Sequence, residues 1–239
     1  MNIRLNSTGL AHHFVTRFAA ISAALAMLLA AAPAMAHHPF GRQAPQTIFE
    51  GFVSGIGHPV LGLDHLAFVI AVGLLAAVLR RGVLLPIVFL LAALVGTSLH
   101  LAGLNLPAPE FVIAGSVVLF GGLAASEQSL KSLNSPLSML WVITLTSFAG
   151  LFHGYAYGES IIGAEPTPLV AYLVGFTLVQ GAIASAAYQL AHQALSPRHH
   201  TDQKGTAQRL DNSAGPVSVR YAGFAILGAG IACLGQLLV

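Results

Sequence analysis

Charge is what this sequence has least of. Only 8% of its 239 residues are Asp, Glu, Lys or Arg, against about a quarter in a soluble globular domain. So few charges do not cover a water-facing surface, and a soluble globular protein is excluded. Ten Lys and Arg nearly balance eight Asp and Glu, leaving a net charge of +2. With no basic run and no aromatic ladder, the chain is not expected to bind nucleic acid. The single cysteine, Cys233, excludes an intrachain disulfide and reads as a small apolar packing residue. No G-x-x-x-x-G-K-[ST] motif is present, which argues against direct use of ATP, and no H-E-x-x-H motif marks a zinc hydrolase.

Hydrophobic residues are abundant, at 56%, and mean hydropathy is +0.78. A bilayer-spanning helix needs about 20 apolar residues. Such runs recur at residues 59–79, 83–101, 108–125, 136–156, 167–191 and 217–238. They predict an all-α polytopic membrane protein, a bundle of about six transmembrane helices in one domain over 37–239. The polar stretch 196–216 is the only long loop of low hydropathy, and it reads as mobile.

Residues 1–36 read as a cleavable signal peptide. Arg4 and Arg17 supply the positive start, Phe18 to Ala32 the apolar core, and Ala34-Met35-Ala36 the small-x-small cleavage site. Cleavage there leaves His37 at a mature N-terminus outside the cytoplasm. The competing reading is an uncleaved first helix. Positive charge then alternates with loop number. Arg80 and Arg81 follow the first span, Lys131 the third, and Arg198, Lys204, Arg209 and Arg220 the fifth, while the second and fourth connections have none. This is the pattern of a multi-pass protein of a bacterial inner membrane with a periplasmic mature N-terminus.

Ionisable residues in apolar spans are costly and each asks for a reason. His58, Asp64 and His65 fall within eight positions of one another. With Pro59 as a first helical residue, His58 sits at the helix mouth. His65, seven positions on, shares nearly the same face. A second group ends the fourth span: His153, Gly154, Gly158 and Glu159, where a break near Gly158 would fold Glu159 back. His100 closes the second span and Glu110 opens the third. The topology puts all of these, with His37 and His38, toward the outer side. Imidazoles and carboxylates gathered there suit a divalent cation, though ligand type alone does not choose among nickel, cobalt, copper and zinc. The plainer readings are a packing histidine for His100 and a helix-dipole partner for Glu110. Gln180, mid-span, reads equally as a pathway residue or as a link between helices.

At these residues the chain resembles the HupE/UreJ family of nickel and cobalt permeases. The resemblance rests on a signal peptide ending just before a His, on H-x5-D-H at His58, Asp64 and His65, and on Phe152-His153-Gly154-x-Ala156-x-Gly158. Glu110 with Ile113-Ala114-x-Ser116-Val117 is a weaker match. Carried over, the metal-handling residues would be His58, Asp64, His65, Glu110, His153 and Glu159. The chain departs from the family pattern twice. Tyr157 stands where a second His is usual, and Ser160 where an acidic residue is usual, with Glu159 one place early.

The residues and the resemblance together predict a secondary permease, not an enzyme. Its cargo would be Ni²⁺ or Co²⁺, with no tightly bound cofactor, the lipid bilayer as surroundings, and a functional link to hydrogenase or urease maturation. The alternatives are an intramembrane metal-dependent enzyme and an accessory membrane protein of a metalloenzyme system.

Overall fold

The computed structural model describes residues 44–126, 130, 132–133, 135–195, 199–201, 207–209 and 214–238. The expected signal peptide at residues 1–36, His37 and His38 lie outside these. Seven helices are described: α1 (Ile48–Leu61), α2 (Leu63–Val78), α3 (Leu84–Leu101), α4 (Pro109–Ala125), α5 (Pro136–Glu159), α6 (Pro166–Leu195) and α7 (Ala214–Gln236). Within the polar loop, β1 (His199–Thr201) pairs antiparallel with β2 (Ala207–Arg209). Apart from that short hairpin the described residues are helical, and the protein is a multi-pass membrane protein. Helices α3, α5, α6 and residues 217–236 of α7 are long and apolar enough to cross a bilayer. The α1–α2 pair meets that test only together, and α4 is a shorter apolar helix of 17 residues.

Packing directions follow from which backbones touch. Gly150, Gly154 and Gly158 of α5 meet Phe89, Ala93 and His100 of α3 in the same order, so these helices run parallel. Gly223 and Gly230 of α7 meet α4 at Ala125 and Val118, in reverse order. Gly51 and Gly55 of α1 rest on Pro168 and Tyr172 of α6, and Gly73 of α2 rests further along it on Ala184 and Ala187. One long helix therefore supports two half-length helices in series. These directions are the ones six alternating crossings require.

Two expectations about the first span are corrected. The helix does not begin at Pro59 but at Ile48, where Thr47 and Glu50 form a reciprocal capping box. That box satisfies amide groups the first turn would otherwise leave bare. Pro59 lies near the far end of α1 instead. The chain then breaks at Gly62 and turns by 79° into α2. Proline lacks the N–H that would continue the ladder, and Gly62 has no side chain to crowd its neighbours. The expected break at Gly158 is absent. Helix α5 runs through it to Glu159, because Gly158 serves close approach: an added Cβ would meet the His100 side-chain carbons at 2.6–3.3 Å.

Candidate metal centre

The α1–α2 break puts His58 in the last turn of α1 and His65 in the first turn and a half of α2. They do not share a helix face, as an unbroken span would require. The bend instead turns their rings toward each other, with centroids 5.5 Å apart. His153 comes across from α5, and its Nδ1 lies 2.7 Å from Nδ1 of His65. At that distance one proton is shared between two ring nitrogens. The Nε2 of His153 is 3.0 Å from the Ser116 hydroxyl on α4. Phe68 stacks on the same imidazole at 4.5 Å. His58 is held through its Nδ1 by the Ser160 hydroxyl.

Tyrosines form the remaining wall. Tyr157 lies against both His58 (5.1 Å) and His65 (4.6 Å) and donates its hydroxyl proton to Gln180 Oε1 at 3.0 Å. Tyr172 donates to the Tyr157 carbonyl at 2.8 Å. Gln180, fully buried, donates in turn to the Phe176 carbonyl. The Gln180 alternative is thus decided for a link between α5 and α6. Gln180 stands halfway along the 30-residue α6, so the Tyr157 hydroxyl it holds lies well inside the bundle, whereas His58 bonds Ser160 at the end of α5.

Burial is graded. His58 and Asp64 are half-buried, His65 is 5% exposed and His153 is fully buried. Asp64, in the first turn of α2, accepts from the His65 backbone N–H at 2.8 Å. Past His153 the space is closed by Phe68, Phe89 and Phe120, whose rings pack at 4.8 and 5.3 Å around Phe68.

Three sequence candidates stand apart. Glu110, in the first turn of α4, and Glu159, the last residue of α5, are exposed. His100 turns toward Tyr155, 4.3 Å away, on the α3 side of α5. Cys233 lines a separate apolar cavity of about 50 Å³ with Leu66 and Ile226. Ser160 and Tyr172 adjoin His58 and Tyr157, although sequence reasoning did not assign them there. Helical spacing hints at one group only: 153, 157 and 160 recur every three to four positions on α5.

A family model described as HupE / UreJ protein matches residues 25–234. The chain belongs to the HupE/UreJ family. Protein HupE of Rhizobium leguminosarum bv. viciae is 29% identical over 220 residues, covering 91% of this chain and 98% of that protein. No solved structure matches. The two departures from the HupE/UreJ pattern gain a location: Tyr157 and Ser160 both touch His58.

Among the described residues no three His, Cys, Asp or Glu side chains are gathered tightly enough to hold a metal as they stand. The His65–His153 pair is nearer to that condition. Nitrogens bound to one ion at about 2.0–2.1 Å lie about 2.9 Å apart at a right angle and about 3.4 Å apart at the tetrahedral angle. Opening the 2.7 Å contact by a few tenths of an ångström is enough, and His58 is the next imidazole within reach.

Backbone contact beside the site carries a direct prediction. A Cβ at Gly154 would land on the Ala93 backbone, and Thr97 donates to the Gly154 carbonyl at 2.7 Å. Gly154→Val is expected to force α3 from α5 and to lower stability by about 1–3 kcal/mol. Thermal unfolding of the purified protein in detergent measures it; an unshifted midpoint contradicts the packing described.

Proposed function

We propose that this protein is a secondary permease for a divalent transition-metal cation of the nickel and cobalt class. The observation that carries the reading is the meeting of His58, His65 and His153 at the α1–α2 break, inside the bundle. Transporter sites are commonly built at discontinuous helices near the bilayer midplane. The C-terminal end of α1 also turns its carbonyl dipoles toward the break, which favours a cation. Asp64 and the half-buried His58 receive the ion and replace part of its water. The buried His65–His153 pair then holds it, while the phenylalanines beyond close the path. Glu110, Glu159, His100 and His37 remain candidates for a looser capture step. They do not belong to the three-imidazole group.

The proposal includes a bacterial inner-membrane location with a periplasmic mature N-terminus, following the Lys and Arg alternation. Inward movement is then favoured by the membrane potential, by about 4.6 kcal/mol for two charges across 100 mV. No catalytic step or resident cofactor is part of this reading. The ion is cargo, and the functional link to hydrogenase or urease maturation is part of the same proposal.

Radioactive nickel and cobalt uptake into cells making wild-type protein or His58→Ala, at equal membrane abundance, tests the reading. Wild-type accumulation of one metal and its loss in the variant is the expected result. Background uptake of both metals by the wild type would sink it.

A further inference from the structure

We infer that Ser116 positions His153 for metal by deciding which ring nitrogen carries its proton, an inference that rests on the permease reading above. Ser116 is 8% exposed and brings α4 into the site. Its hydroxyl has one proton to give. That proton goes to the Ile113 carbonyl at 2.7 Å, since a carbonyl oxygen only accepts. The 3.0 Å contact between Ser116 Oγ and His153 Nε2 therefore draws its proton from the imidazole. A neutral imidazole has a single N–H. With Nε2 protonated, the lone pair sits on Nδ1, and Nδ1 is the atom that faces His65 at 2.7 Å.

Metals bind the lone-pair nitrogen, and the hydrogen bond of the other nitrogen sets which one that is. Ser116 thus aims the coordinating atom of His153 at the His65 side, and the Phe68 ring stacked at 4.5 Å keeps the imidazole plane. Without the hydroxyl, the proton is free to move to Nδ1, and the ring then offers N–H where the cation needs a lone pair. Loss of such a supporting partner typically costs about 10–100-fold in metal affinity.

Threonine and valine have the same shape, and only threonine keeps the hydroxyl. The test compares Ser116→Thr with Ser116→Val in the full-length protein, using nickel and cobalt uptake and titration of either metal into purified protein. Ser116→Val is expected to raise the half-saturating metal concentration about 10–100-fold, with maximal uptake at equal abundance little changed. Ser116→Thr is expected to stay close to wild type. Equal behaviour of the two variants, whether both impaired or both normal, overturns the role of the hydroxyl and leaves the permease reading standing. Wild-type protein that neither takes up nor binds either metal overturns both.

Discussion

Replacing His153 with alanine is expected to abolish nickel or cobalt uptake, by more than about 100-fold at limiting metal, beyond the loss seen when only a supporting partner of a ligand is removed. His153 is fully buried and meets His65 on one ring nitrogen and Ser116 on the other. In the proposed mechanism its loss removes one arm of the only imidazole pair among the described residues that is already near ligand spacing. It also leaves the buried His65 nitrogen without its partner from α5, a cost of about 1–3 kcal/mol. That penalty is modest for a bundle held by α3–α5 and α4–α7 packing, so the variant should still reach the membrane. Uptake per unit of membrane protein is the quantity to measure. A rate within a few-fold of wild type would remove His153 from the pathway.

Phe68→Ala is expected to give the largest loss of stability of any single truncation beside the site, about 3–5 kcal/mol. The Phe68 ring is completely buried. It contacts Phe89, Phe120 and His153 at centroid distances of 5.3, 4.8 and 4.5 Å. Its neighbours come from α3, α4 and α5, so no one helix can shift to fill the space left. Phe68→Leu keeps most of the volume and should cost less than about 1.5 kcal/mol. Thermal unfolding in detergent compares the two. If Phe68→Ala melts with the wild type, the aromatic floor beneath His153 is not packed as described.

Much of the fold was legible because lipid imposes it. Each of the apolar runs at 59–79, 83–101, 108–125, 136–156, 167–191 and 217–238 falls on a helix of the structure, α2 to α7 in order. Backbone groups in hydrocarbon must be satisfied within the segment, which makes a long apolar run a helix almost regardless of its neighbours. Helix α1 was missed for the opposite reason. Its glycines and serine lower its hydropathy, and they are there because Gly51 and Gly55 lie against the α6 backbone, a contact that hydropathy does not register.

The candidate site was legible by cost and illegible by geometry. His58, Asp64, His65 and His153 stood out because polar groups are expensive at membrane depth. Yet His58 and His65 were expected on one helix face, and the 79° turn at Gly62 brings them together from two helices. Glu110 and Glu159 carry the same sequence signal and end exposed, since charge marks a residue without saying which way its helix turns.

The sequence by itself determined that this chain is helical, multi-pass and poor in charge, and it singled out the three imidazoles that meet in the structure. Both follow from local chemistry, the hydration cost of a side chain or of a backbone segment. Only the tertiary structure decided that the first span is broken, and that His65 and His153, 88 positions apart, face each other at 2.7 Å. It alone decided that Ser116, Ser160, Tyr157 and Tyr172 make up their surroundings. Those contacts depend on helix–helix approach set by glycines on facing backbones, and a distance between two helices is a property of neither sequence segment alone.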